Sequence, residues 1–226
     1  MKCKNTLIAL AFYLSLGPIP GEQPALGDAI PEIMAGIKNR YGNAGALSAD
    51  YTREAISKTM ALLGSSEQHD VARGRLFFKA PDLLRLEQTS PQEELLLTDG
   101  QTLWWYIPVK KETYKYPAQR FGQELGLLSN VFKGLKDSED RFRISAQKNS
   151  SGPVHHLTLT PDPPWQDIDH LEIIIRKKDF AITQVDIYNT IGGLSRFTLS
   201  RWKEIDDLQK GLFHFSPPPQ VRIIEK

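Results

Sequence analysis

Three groupings in the 226-residue chain bring together side chains that could do chemistry. Asp167, Asp169 and His170, beside Trp165, carry metal-donor atoms, and adjacent His155 and His156 carry more. Ser195 lies just beyond Gly192-Gly193, where a nucleophile could sit on a tight turn. None of the three develops into a catalytic set. The acidic cluster follows the proline-rich turn Pro161-Asp162-Pro163-Pro164, so a solvated loop is expected there. Neighbouring histidines on a strand point to opposite faces and cannot share one ion. Ser195 lacks the GxSxG spacing of a nucleophile elbow. There is no HExxH, phosphate loop or dinucleotide fingerprint, and Cys3 is the single cysteine. The expectation is a protein that is not an enzyme, with no catalytic residue, no metal and no cofactor; an exported hydrolase is the remote alternative.

The N-terminus reads as an export address. Lys2 and Lys4 precede the apolar run Leu7 to Leu16, which Gly17, Pro18 and Pro20 break. Ala25 and Gly27 give the small-residue pattern of a cleavage site, so residues 1–27 are expected to be a removed signal peptide and Asp28 the mature start. The run is too short to span a bilayer, which needs ~20 apolar residues; an uncleaved anchor is the competing reading. Cys3 stands before the run, not after it, so it is not a lipidation site. Residues 28–226 are the size of one domain, cysteine-free and therefore held by their own core. Twenty-eight Lys+Arg against 27 Asp+Glu gives a net charge of +1, which argues against nucleic acid as a partner.

Two helices and many short strands are predicted. Asp28 can cap a first helix with Pro31 early in it, and Ile30, Ile33, Met34, Ile37 and Tyr41 form one apolar stripe before Gly42. Phe121 to Leu135 has a second stripe (Phe121, Leu125, Leu128, Val131, Phe132, Leu135), weakened by Gly122, Gly126 and Gly134 at roughly 1 kcal/mol each. Each helix reads equally as a docked element or a movable cover. Strands are predicted from Leu47, then at 71–79, 83–88, 94–97, 102–107, 112–116, 141–147, 154–160, 171–176, 181–188 and 194–202, with Asp99-Gly100 turning one hairpin and Phe213-His214-Phe215 alternating in the tail. Some ten antiparallel strands in one domain imply a strongly curved sheet or a barrel.

The apolar load is heaviest in the middle. Leu76 and Phe78, then Leu84 and Leu86, share a face, while Leu95-Leu96-Leu97 and Leu103-Trp104-Trp105 are apolar without alternation. Such strands are covered on both sides, or are covered on one and touch a ligand with the other. The residues alone leave that choice open.

Gly74-Arg75-Leu76-Phe77-Phe78-Lys79-Ala80-Pro81-Asp82-Leu83-Leu84, followed by Leu97-Thr98-Asp99-Gly100-Gln101-Thr102-Leu103-Trp104-Trp105-Tyr106-Ile107-Pro108, resembles the outer-membrane lipoprotein carrier family LolA. That family has Gly-x-Leu, Lys-Arg-Pro, Leu-Phe, then Ser-Asp-Gly, Leu-Trp and Tyr-x-Pro. The tail Phe213-His214-Phe215-Ser216-Pro217-Pro218 is similar to its closing Phe-x-Phe-x-Pro-Pro. The resemblance implies a mainly β fold, an open antiparallel half-barrel with helices covering its concave apolar face. It implies a monomeric periplasmic carrier of triacylated lipoproteins, working between an inner-membrane ABC exporter and an outer-membrane receptor. Leu76, Phe78, Leu84, Leu86, Leu96 and Trp105 would line the acyl cavity; Ile33, Met34, Ile37, Leu125, Leu128 and Phe132 would form the lid. One departure stands out: Ala80 replaces the arginine to which the family's lid latch is attributed. The alternative is a half-barrel used as a sensor or assembly module for an envelope protein or another lipid.

Overall fold

The computed structural model describes residues 26–42, 44–57, 70–117, 127–128, 131, 135, 141–147, 152–205 and 211–225. One helix, α1 (Leu26–Gly42), precedes β1 (Leu47–Ile56), β2 (Asp70–Lys79), β3 (Leu83–Ser90), β4 (Glu94–Thr98), β5 (Thr102–Ile107) and β6 (Glu112–Pro117). Then come β7 (Phe142–Ala146), β8 (Val154–Pro161), β9 (Ile168–Arg176), β10 (Ile182–Asn189), β11 (Leu194–Glu204) and β12 (Arg222–Glu225). These twelve strands form one open sheet in the order β12-β6-β5-β4-β3-β2-β1-β11-β10-β9-β8-β7. It is a run of hairpins joined where β1 pairs β11. Among the described residues no helix is long and apolar enough to cross a membrane.

Residue-level causes are visible at the turns. Gly100, at φ +88°, takes the left-handed position of the β4–β5 hairpin, and the Asp99 carboxylate accepts from the N–H groups of Gln101 and Thr102 at 2.9 and 2.8 Å. Gly74 sits where the β2–β3 register shifts; a Cβ there would come within 2.0 Å of the Glu87 carbonyl oxygen. Only glycine allows that approach.

The concave side holds the core. Ile33 and Ile37 of α1 are buried there with Leu127, Leu128, Val131 and Leu135. Leu76 and Phe78 of β2 meet them from one part of the sheet, and Leu171, Ile173 and Val185 of β9 and β10 from another. One cluster thus draws on strands far apart in the sheet order, which requires the sheet to curl around it.

Three expectations are corrected. Helix α1 starts at Leu26, so Asp28 lies inside it and Pro31 is interior; proline's fixed φ suits the helix, and the loss is one backbone bond near its start. Of the second stripe, Leu128 and Val131 are helical, as is Leu127 beside them, but Leu135 is not, having φ +55°. Leu125 and Phe132 lie outside the described residues. Phe213 to Phe215 is not a strand: Phe215 packs on Trp104 and Tyr106 at 5.7 and 5.5 Å between ring centroids. Its apolar period serves packing, not a ladder. Beyond the prolines, β12, an unpredicted strand, adds to the edge of the otherwise antiparallel sheet by pairing with β6 in parallel.

Candidate functional site

Cross-strand register sets a row of side chains on the concave face: Ala49, Leu76, Leu86, Leu96, Trp105 and Tyr114, one from each of β1 to β6. Burial falls along it, from Leu76 at 0 % exposed through Leu86 at 4 % to Leu96 and Trp105, which are half-buried. Where the packing thins, a cavity of about 400 Å³ opens. Its apolar wall is Tyr51, Ala72, Leu86, Leu96, Trp105 and Phe197. Its polar members are Arg53, Asp70, Gln88, Gln92 and Glu94.

The six expected cavity residues therefore divide. Leu86, Leu96 and Trp105 line the cavity, whereas Leu76, Phe78 and Leu84 are packed into the core, all at 2 % exposure or less. The parity of the strands puts all six on one face, but what stands opposite differs. Core residues of α1, with Leu127, Leu128 and Val131, cover one half; open space faces the other. Of the expected lid residues, Ile33, Ile37 and Leu128 are buried in the core cluster and Met34 packs against it.

The polar members of the wall are held in distinct ways. Trp105 Nε1 donates to Glu94 Oε2 at 2.8 Å and Gln92 Nε2 donates to Glu94 Oε1 at 2.6 Å, so both carboxylate oxygens are engaged. The tryptophan bond and the Tyr114 ring, 5.4 Å away centroid to centroid, fix the indole at the cavity. Burial pushes the Tyr51 hydroxyl up to about 12, which keeps it neutral. Arg53 stands between Ala72 and Phe197 in the register, and its Nε is buried with no hydrogen-bond partner. Sequence reasoning missed Arg53, although its alternation with Leu47, Ala49 and Tyr51 assigns it to the concave face.

Helix α1 is tied down at its C-terminal end. Arg40 donates to the Asp179 carbonyl at 3.1 Å and lies 3.5 Å from its carboxylate. The Ile182 N–H donates to the Tyr41 hydroxyl at 2.8 Å, and Trp202 packs edge-on to the Tyr41 ring. Gly36 leaves room for the Phe180 ring, which a Cβ would meet at 2.3 Å.

On the convex side the tail covers the other half of the apolar load. Arg85 donates to the Leu212 carbonyl at 3.1 Å, and Phe215 lies on Trp104 and Tyr106, with Leu97 and Thr113 buried. The unalternating Leu95-Leu96-Leu97 and Leu103-Trp104-Trp105 thus face a tail on one side and the cavity or core on the other. His170 stacks on Tyr188 at 4.3 Å and bonds Asp169 at 2.7 Å. Among the described residues no three His, Cys, Asp or Glu side chains are grouped to hold a metal ion. What the cavity offers is binding surface and hydrogen-bonding groups.

A family model, outer membrane lipoprotein carrier protein LolA, matches residues 57–216. An outer-membrane lipoprotein carrier protein of Yersinia pestis is 30% identical over 229 residues, spanning 97% of this chain and 98% of that one. One from Proteus mirabilis is 25% identical over 226 residues, 96% of this chain and 95% of the relative. Among solved structures, an uncharacterized conserved protein from Thermus thermophilus shares the fold, with a TM-score of 0.54, 12% identity and coverage of 88% of this chain and 99% of that one.

Proposed function

The chain belongs to the LolA family of outer-membrane lipoprotein carrier proteins, and from that membership we propose that it is a periplasmic carrier that binds lipoprotein acyl chains at the concave cavity. In this reading it takes a triacylated lipoprotein from an inner-membrane ABC exporter and delivers it to an outer-membrane receptor. It acts as a monomer and makes or breaks no bond.

The observation that carries the reading is the 400 Å³ cavity with an apolar wall on the otherwise packed concave face. Its volume falls in the range of ligand sites, about 300–1,000 Å³. Magnitudes fit a carrier better than a store. Each buried methylene is worth ~0.8 kcal/mol, so three long chains represent tens of kcal/mol. Full burial would pass the affinity ceiling near −20 kcal/mol, and release would stop. A cavity that holds only part of the hydrocarbon keeps binding reversible.

The test is transfer. The purified protein, loaded with a detergent-solubilised triacylated lipoprotein and freed of detergent, should keep it in solution and lose it to added liposomes of outer-membrane-like composition. A lipoprotein that precipitates alike with and without the protein would remove the proposal.

A further inference from the structure

Arg53 is the unexplained group in the cavity. A guanidinium Nε–H shut off from solvent with no acceptor is costly, because desolvation is uncompensated. The carboxylate of Glu94, on the same wall, is engaged by Trp105 and Gln92, and among the described residues neither Asp70 nor Glu94 forms an ion pair with Arg53. A ligand in a cavity that water can enter does not reach that sealed Nε. It meets the terminal guanidinium nitrogens of Arg53, which lines the wall and has no hydrogen-bond or ion-pair partner among the described residues. These are the donors open to a ligand acceptor. Two acidic residues, Asp70 and Glu94, share that wall with one arginine, so a full negative charge would meet repulsion as well as attraction. A neutral acceptor avoids this. The volume adds a second constraint: at roughly 30 Å³ per methylene, close to a water's share of the liquid, 400 Å³ holds about one medium-length chain.

We propose that Arg53 donates to the carbonyl at the head of an acyl chain seated in this cavity, so that the protein selects acyl esters and amides over alkyl chains of equal length. The inference rests on the acyl-binding reading of the cavity and adds what the cavity recognises: the linkage, not the hydrocarbon alone. The neutral Tyr51 hydroxyl, on the same wall, is compatible with such a ligand.

The experiment compares 1-dodecanoylglycerol with its ether, 1-O-dodecylglycerol, each titrated below its aggregation limit into the purified full chain, with dodecanoate as a third probe. Wild type should bind the ester about tenfold tighter than the ether, the weight of one hydrogen bond from a charged donor. Arg53→Met should bind both alike, at the ether's affinity or better, and Arg53→Lys should keep part of the preference. Equal wild-type affinities for ester and ether would overturn the assignment, and that comparison needs no variant. Dodecanoate binding tighter than the ester, or a preference that survives in Arg53→Met, would also overturn it. Failure of wild type to bind any of the three probes would instead take down the acyl-cavity reading itself.

Discussion

Phe78 and Leu96 sit on the same face of the sheet, on β2 and β4, yet they answer to different forces. Phe78 is 1 % exposed within the core cluster, so Phe78→Ala leaves a void and should cost about 3–5 kcal/mol in a denaturant titration. Leu96 is half-buried at the cavity wall. A carboxylate there remains near solvent, so Leu96→Glu should lower stability by about 1 kcal/mol while abolishing acyl uptake. The pair is checked by measuring both quantities on both variants; a Leu96→Glu protein that unfolds like Phe78→Ala, or that binds acyl probes as wild type does, would contradict the division. Sequence period assigns both residues to the concave side, since side-chain parity is local. It cannot say which has helix atoms opposite and which has space, because that depends on where the chain brings α1, Leu127, Leu128 and Val131. Arg53 was illegible for a related reason: an arginine in a strand ordinarily finds water or an acid, and only the assembled wall leaves its Nε unmatched.

Helix α1 is an element whose anchorage can be tested by sign. Glycine-to-alanine in a helix interior normally gains about 1 kcal/mol from propensity. At Gly36 the new Cβ would overlap the Phe180 ring, and such overpacking costs about 1–3 kcal/mol. Gly36→Ala should therefore lower the melting temperature; a rise would mean the helix yields at no cost. The other end of the anchor is ionic. The Arg176 guanidinium, bonded to the Asp179 carboxylate at 2.7 and 2.8 Å, holds Asp179 down to about 2, with the Ala181 N–H and Arg40 adding to it. A carboxyl with a lowered folded-state pKa stabilises at pH values above its ordinary value near 4, and that contribution disappears as pH falls toward 2. The side chain is 34% exposed, so screening limits the effect to about 1 kcal/mol or less. Wild type should exceed Asp179→Asn in stability at pH 7, with the gap closing between about pH 4 and 2 in thermal melts; a gap constant over that range would contradict the assignment. The stripe through Ile33, Ile37 and Tyr41 was readable from period alone. The clamp joins Arg40 to Asp179, 139 residues further along the chain, and no local pattern reports it.

At the scale of the molecule, one curled sheet serves two tasks with its two faces. The convex face over β3 to β6 is closed by the tail through Phe215, while the concave face carries the core and leaves a cavity open at the β1–β5 side. Most of the strands, and the hairpin at Asp99-Gly100, followed from turn residues and alternation, because each is a local event, whereas the pairing of β1 with β11 joins segments far apart in the chain. The parallel pairing of β12 on β6 is non-local: its four residues reach the edge only after the tail has crossed the convex face. The central claim, that the cavity carries acyl chains, is met most directly by a native mass spectrum of the protein freshly purified from cells that make lipoproteins. The account predicts a population heavier than the bare chain by the mass of a lipoprotein or acyl lipid, absent from Leu96→Glu. A single bare mass for wild type, unchanged after incubation with a triacylated lipoprotein, would contradict it.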